Sequence, residues 1–571
     1  MLENANREIA DLFSEIARLV ELDGGNPFKV RAYAQAAAVL GESPEPVGRL
    51  AAENRLQSLA GVGEAIAKKT GEWLETGRVE FLEKLRAKFP DTVLDLLDVV
   101  ELGPKRVRAL WLEHGMDSLD MLREACLSGR FAGFKGCDAE LEGAVLRRLE
   151  ELEAHRVMFR THQARTEAES LLAWVADTGL AVEAEIAGSL RRRREVVKDI
   201  KIVAACADPG ALAAGFTATP KAAMVVSRRP DRGKVVLEAG MEATLHAVPP
   251  GEYPAALVHH TGSRAHNALL RQRAAERGLT LNERGLFGAA GAPLPCADEA
   301  GLYAALGLPW IPPELRENLG EFELAGTPRL VTPEEVRGVV HCHSDWSDGV
   351  DSLERMACAA RELGYEYMAV TDHSRSADYA NGLTPDRVAA QHVEIDRLNA
   401  AWGDFRLLKG IESEIHPDGS LDYGDEMLSL FDVVIASIHT ETDMTRREAT
   451  RRVIRAIEHP KTMILGHPTG RLLLARHGYV LDMEKVADAA AANGVALEIN
   501  ANPVRLDLDW RHVRRARDKG VKFVIGPDAH RVRGLHNIPF GVGVARKGWL
   551  GPEDVLNCRP VGEFLRCLRK G

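Results

Sequence analysis

Six short apolar runs in the C-terminal part of this chain end in side chains that can hold a metal ion. GVVHCH ends in His341 and His343, YMAVTDH in His373, DVVIASIH in His439, TMILGH in His467, VALEIN in Glu498 with Asn500, and KFVIGPDAH in Asp528 with His530. Asp348, five residues after His343, and Glu412, at the end of LLKGIE, add carboxylates. Any one of these histidines, taken alone, reads better as a surface or hydrogen-bonded core residue. The set does not, because the same residue types recur at the ends of successive strands. Alternation along a strand sends residues i and i+2 to one side, so HCH and DAH each present two groups together. Imidazole and carboxylate without thiolate suit Zn, Mn or Fe, and two or three ions sharing a bridging carboxylate suit phosphate-ester hydrolysis.

These runs alternate with helical patterns from about residue 335 to the end, the signature of β/α repeats. In an α/β barrel the C-terminal strand ends converge on one face, so ligands distant in sequence meet there.

A second constellation lies in AGSLRRRREVVKDIKIVAA, residues 187–205. A Gly188–Ser189 turn is followed by Arg191, Arg192, Arg193 and Arg194, and then by Lys198, Asp199 and Lys201 at the start of a β-branched run. A run of like charge is usually a solvated surface, but beside such a turn it is expected to meet phosphate. Further upstream, apolar spacings of three and four in ANREIADLFSEIARLVEL, TVLDLLDVV and MLREACL predict helices over the first 155 residues. LAGVGEAIAKK, with Gly61 and Gly63, fits a helix-hairpin-helix whose turn offers N–H groups to a DNA phosphate. An ordinary αα-hairpin turn has a similar pattern. ELGPKRVRAL, with Gly103 and Lys105, repeats the motif, with Glu101 where a glycine is usual. FAGFKGCDAELEGAVLRRL reads as a third, degenerate copy. Runs such as DIKIVAA, KAAMVVS and KVVLEAG predict a small sheet over 183–248, residues 252–318 return to helix and turn, and 319–334 reads as a linker.

With 571 residues, several domains are expected. The eight scattered cysteines show no CxxC pair, so neither a disulfide framework nor a thiolate zinc site is indicated. No apolar run reaches membrane-span length and the N-terminus lacks signal-peptide regions, so a cytoplasmic protein without membrane contact is the default expectation. A net charge of -11 argues against a uniformly basic nucleic-acid binder, not against local DNA contact.

HCHSDWSDG, TDHS, KGIE, ASIH, GHP and PDAH, in this order, resemble the motifs of the polymerase and histidinol phosphatase (PHP) family. That resemblance implies a distorted seven-stranded α/β barrel with a three-metal centre. Its ligands fall on His341, His343, Asp348, His373, Glu412, His439, His467, Asp528 and His530, with Glu412 also catalytic and Mn or Zn as the expected metals. Pro527 stands where Ser or Thr is commoner. NPFKVRAYAQAA, the GS turn, TGSRAHN and LNERGLF resemble the bacterial family X DNA polymerases, whose architecture with a C-terminal PHP domain covers almost the whole chain.

The resemblance divides the chain into a helical DNA-binding domain (1–85), a fingers-like helical domain (86–157), a nucleotidyltransferase-like α+β palm (158–250), a thumb (251–318), the linker (319–334) and the PHP barrel (335–571). It assigns DNA or nucleotide contact to Gly61, Gly63, Gly103, Lys105, Gly188, Ser189 and Arg191 to Arg194. The palm departs from its family. Asp-x-Asp is replaced by Asp199, Ile200 and Lys201, Thr244 falls where a third aspartate is usual, and His259 with His260 replace an aromatic pair. Asp199 is the residual catalytic carboxylate, and Glu238 and Glu242 are the neighbouring acids that are candidates to replace the missing ones. A lysine in place of a ligand opposes cation binding. The expectation is a monomeric DNA-repair enzyme acting as a metal-dependent 3′-5′ exonuclease or phosphoesterase on gapped or nicked DNA, with polymerase activity weak or lost. The alternatives are an active gap-filling polymerase, which would bind dNTP and hold Mg or Mn in the palm, and a non-catalytic DNA-binding scaffold. A small-molecule phosphatase would explain the barrel alone.

Overall fold

The computed structural model describes residues 2–568 except 42, 44, 60, 77–78, 87, 89–95, 97–98, 100–101, 117–118, 128–129, 157 and 289–290. The chain divides into two compact units, Met1–Val157 and Met158–Gly571.

The first unit is helical. Helix Leu2–Leu22 buries Ile9, Phe13, Ile16 and Leu19 on one side and packs on helix Pro27–Gly41, where Phe13 stacks on Tyr33 with ring centroids 6.2 Å apart. Helix Glu64–Thr76 starts directly after Gly63, and Gly61 takes φ +86°, the left-handed region that glycine tolerates. Helix Gly103–His114 begins at a second left-handed glycine, Gly103, with Pro104 in its first turn. The third repeat also places a left-handed Gly136 shortly before helix Ala139–Arg156. Glu101 and most of TVLDLLDVV lie outside the described residues.

In the second unit helix Thr161–Asp177 leads into a five-stranded sheet. Its strands are β1 (Ala181–Ala187), β2 (Asp199–Cys206), β3 (Ala222–Arg229), β4 (Arg232–Leu237) and β5 (Glu242–Val248), in the order β1-β2-β5-β4-β3. Only β2 and β5 run parallel. In DIKIVAAC, Ile200 and Ile202 are buried while Asp199 and Lys201 share the half-exposed face, as period-two alternation requires. Helices Tyr253–Thr261 and Arg264–Ala275 follow. Residues 319–334 are mostly exposed or half-buried but anchored at points: Glu321 and Val331 are fully buried, and the Val331 N–H donates to Leu550 O.

The C-terminal sheet has seven parallel strands in sequence order: β6 (Gly338–Cys342), β7 (Tyr367–Val370), β8 (Arg406–Glu414), β9 (Val433–Ser437), β10 (Ile464–Leu465), β11 (Ala496–Asn500) and β12 (Phe523–Gly526). β6 returns to the end of β12 through a parallel bridge between Cys342 and Ala529, which nearly closes a barrel. The strands are buried almost throughout because side chains fill the interior and helices cover the outside. This explains their near-continuous apolar sequence. Among the described residues, no helix is long and apolar enough to cross a membrane.

Candidate metal centre

The barrel brings the nine sequence-derived positions to one end of its strands. His341 belongs to β6 and Glu412 to β8, while His439, His467 and Asp528 each sit two residues past a strand. Glu412 is central. Its Oε1 lies 3.2 Å from His341 Nε2, 3.2 Å from His439 Nε2 and 3.0 Å from His467 Nε2; its Oε2 lies 3.1 Å from His373 Nδ1 and 3.6 Å from His343 Nε2. Asp528 Oδ1 approaches His343 at 3.4 Å, His530 at 3.6 Å and His341 at 3.7 Å. Asp348 Oδ2 lies 3.3 Å from His530 and 3.6 Å from His373.

Donor atoms fall within 4.8 Å of one another in four groups: His343, Asp348, His373 and His530; His341, Glu412 and His467; His341, His343 and Asp528; and His373, Glu412 and His439. The groups share members, as expected of neighbouring ions with common ligands. Among the described residues, buried His341 Nε2, both ring nitrogens of His343, Glu412 Oε2 and His467 Nδ1 have no hydrogen-bond partner. Leaving so many polar atoms unmade in a core is costly, and cations are the ligands this donor set fits. Three of these residues, His341, His467 and Asp528, also take positive φ values of +64°, +21° and +51°. Such backbone is uncommon outside glycine and collects at functional sites.

Electrostatics bind the cluster together. Burial alone would lower the His341 pKa, but Glu498, Glu412 and Asp528 hold it well above the ordinary imidazole value. Burial would raise Glu412, and His439, His341 and His373 instead drive it well below the carboxylate range. His343 is pushed down to about 3 by burial and by the neighbouring His530 and His373.

An outer set of groups orients the donors. Glu498 accepts from His341 Nδ1 at 2.5 Å and from the His467 N–H at 2.6 Å. Glu414 pairs with His439 Nδ1 at 2.8 Å and is itself fixed by Thr440. Asp372, within TDHS, receives the Ser344 N–H and hydroxyl and the Gln391 amide, which pins the HCHSDWSDG loop. Sequence reading picked out Glu498 as a strand-end group but gave no role to Glu414, Asp372 or Arg505, whose Nε lies 3.2 Å from Asp528 Oδ2. The i+2 spacing of Glu414 from Glu412 was a usable signal, since both lie on β8.

The palm contains a different set. Asp199 pairs in register with Glu242, and Lys201 with Thr244. Lys201 Nζ is 3.6 Å from Asp199 Oδ2, and Lys234 Nζ is 2.9 Å from Glu242 Oε2. The Lys201 chain lies over the left-handed Gly188, where even an added Cβ would meet its Cδ at 3.3 Å. His246 and His260 stack with centroids 3.6 Å apart; burial lowers them to about 4 and about 2 respectively, so the pair is neutral.

The four arginines after Ser189 turn inward. Arg191 makes a two-pronged pair with buried Glu299, and Arg192 meets Glu317 at 3.1 Å. Arg193 packs beside Gly543, and Arg194 lies over the Trp510 ring. Their charge is spent largely on acids and aromatics of the thumb and barrel, not on an open basic surface. The expected Gly188–Ser189 turn is instead the start of a four-residue helix, Gly188–Arg191, entered through Gly188 at φ +69°.

Fold and site together define a PHP-type metallo-phosphoesterase barrel joined to a nucleotidyltransferase-like palm and thumb. Residues 340–502 match the PHP domain, 256–317 the DNA polymerase beta thumb, and 4–79 a helix-hairpin-helix domain. The chain is 36% identical, over 568 residues and 99% of both chains, to DNA polymerase/3′-5′ exonuclease PolX of Bacillus subtilis (strain 168). Over 231 residues it is 30% identical to a probable phosphatase of Thermoanaerobacter sp. (strain X514), covering 36% of this chain and 90% of that protein. The chain belongs to the family X DNA polymerase/3′-5′ exonuclease (PolX) family.

Proposed function

We propose that this chain is a DNA-repair enzyme that removes 3′ nucleotides or blocking groups from gapped or nicked DNA by metal-dependent 3′-5′ phosphodiester hydrolysis in its barrel. The observation that carries this reading is the convergence of nine His, Asp and Glu residues with buried, unpartnered donor atoms. His341, His343, Asp348, His373, Glu412, His439, His467, Asp528 and His530 would hold up to three divalent ions, Mn or Zn. Bound there, the ions supply Lewis-acid activation of the phosphodiester and of water. Glu498 and Glu414 fix the orientation of His341, His467 and His439, Glu412 would serve as a ligand in two of the donor groups, and Asp372 holds the loop that carries His343 and Asp348. The helix-hairpin-helix turns at Gly61–Gly63 and at Gly103–Lys105 would grip the DNA backbone through N–H groups.

In this reading nucleotide incorporation by the palm is weak or lost. Asp199 and Glu242 each face a lysine, so the two acids are neutralised where divalent cations would have to sit. A second reading, an active gap-filling polymerase with editing, is favoured by the register of Glu242 beside Asp199, which places two carboxylates on adjacent strands. Its relative in Bacillus subtilis also carries both activities in its name. A labelled-primer assay with Mn, Zn or Mg, with and without nucleotides, tests the two. Shortening without extension supports the first; robust Mg-dependent extension establishes the second; neither activity under any metal overturns both.

A further inference from the structure

Two side chains at the rim of the metal centre have no place in the ligand set. Tyr379 stands on the turn that follows His373 and is 56% exposed. Its centroid lies 6.0 Å from that of His373 and 6.2 Å from that of His439. Large apolar faces are normally turned away from water, and this one is presented beside the most open donors, Asp348, His439 and His530.

The turn beneath Tyr379 is tightly held. The Ala377 N–H donates to Ser374 O, the Gly382 N–H to Ala377 O and the Leu383 N–H to His373 O. Arg387 Nη1 donates to Asn381 O, and the Ser376 N–H to Asp422. At Gly382 an added Cβ would fall 2.0 Å from Ser374 O, so the chain cannot loosen there without losing its packing. The backbone that carries the ring is thus held in place.

Arg505 approaches the metal centre from the loop after β11, with its Nε 3.2 Å from Asp528 Oδ2. Its backbone is pinned on both sides, the N–H to Asn502 O and the carbonyl by Arg471 Nε. Asp528 divides its two oxygens: Oδ1 faces His341, His343 and His530, while Oδ2 takes Asn500 and Arg505 Nε. The Nη1 and Nη2 groups of Arg505 have no hydrogen-bond partner among the described residues. A guanidinium held by one edge against a carboxylate presents its other donors as a fork suited to phosphate oxygens.

We infer that Tyr379 and Arg505 form a nucleotide subsite, with Tyr379 stacking the base of the 3′-terminal residue of DNA and Arg505 holding the phosphate joined to it. This rests on the exonuclease reading above and names what that site recognises. Every base has a π-face, so such a platform accepts any sequence and selects for a nucleoside over a small phosphate ester.

The test compares the full-length protein and its variants, in Mn, on two primers that differ only at the 3′ end: one bears an ordinary terminal nucleotide and the other a tetrahydrofuran residue without a base. The wild-type protein is expected to prefer the base-bearing end about tenfold in kcat/KM, mostly through KM. Tyr379→Ala should reduce that preference towards one, and Tyr379→Trp should restore it. Arg505→Ala should slow removal of both ends by at least about tenfold, with Arg505→Lys recovering only part, because a point charge cannot replace the fork. A wild-type protein that removes both ends equally well, or a Tyr379→Ala protein that keeps the preference, overturns the subsite and leaves the exonuclease reading intact. A wild-type protein that degrades neither primer defeats that reading, and the subsite with it.

Discussion

Lys201 Nζ lies 3.6 Å from Asp199 Oδ2, two residues along one face of the same palm strand. The carboxylate that a divalent ion would need is therefore paired to a covalently attached cation. Transition-state stabilisation in phosphoryl transfer rests on positioning and electrostatics, so losing metal ligands removes its main source. Lys201→Asp combined with Thr244→Asp rebuilds carboxylates at register-paired positions of β2 and β5 and is expected to raise incorporation at least tenfold. Primer extension across a one-nucleotide gap, in a background with an inactivated barrel, measures this. An unaltered palm that already extends efficiently with Mg contradicts it.

In the barrel, His341→Ala or Asp528→Ala should abolish cleavage while DNA affinity changes little, because these groups face other donors of the cluster. Cleavage by both purified variants at the wild-type rate would show that the chemistry lies elsewhere.

Glu414 touches His439 Nδ1 and no other member of the nine, so Glu414→Gln separates orientation from ligation. Such outer partners typically matter by about 10–100-fold in metal affinity or activity. The expected result is a higher Mn concentration for half-maximal cleavage, with near-normal activity at saturating Mn. A Mn titration that overlays the wild-type curve would remove Glu414 from the site.

Glu299 ties the palm to the thumb through Arg191 and pairs within the thumb with the fully buried Arg316. Burial would raise its carboxyl pKa, but the two guanidiniums depress it to about 2, below its ordinary value of 4.5. A depressed folded-state pKa contributes stability that is present in full above the unfolded value and is lost as pH falls through the folded one. Glu299→Gln should therefore destabilise the fold by about 3–5 kcal/mol at neutral pH, since it leaves buried arginines unpaired. The difference from wild type should shrink between pH 5 and pH 2, as read by urea denaturation. A gap constant across that range would assign the effect to packing instead.

The sequence revealed the barrel donors because each belongs to a local pattern, a short apolar run with a histidine or acid at its end, and the fold only has to gather the ends. It was much less informative about Arg191 to Arg194. Their partners Glu299 and Glu317 lie more than 100 residues away, and no local pattern announces a pair of that separation. A four-arginine run looks the same whether it faces water or a buried acid. Tyr379 and Arg505 were hidden for a similar reason, since nothing in DYANG or NPVRL indicates which loop will lean over which strand. The register of Glu242 opposite Asp199 likewise depends on strand order, β1-β2-β5-β4-β3, which periodicity does not give.

The inward turn of the palm arginines shifts the expected burden of DNA binding to the helical unit. Met1–Val157 is compact in itself, with its own buried core, and contains the left-handed glycines Gly61 and Gly103 of the two helix-hairpin-helix motifs. Binding that neutralises phosphates releases counterions, so affinity should fall by about 0.9 log units per log unit of salt for each phosphate engaged on duplex DNA. Removing residues 1–157 should weaken capture of gapped DNA and flatten that slope, without altering the metal dependence of cleavage by what remains. Gly61→Val should reproduce part of the loss, because φ +86° is strained for a branched side chain and the added atoms meet Gln35 at 3.1 Å. Equilibrium binding at several salt concentrations reads both effects. If Met158–Gly571 alone bound gapped DNA with the affinity and salt slope of the whole chain, the palm and barrel would carry the phosphate contacts, and the arginine pairs would have to open on binding.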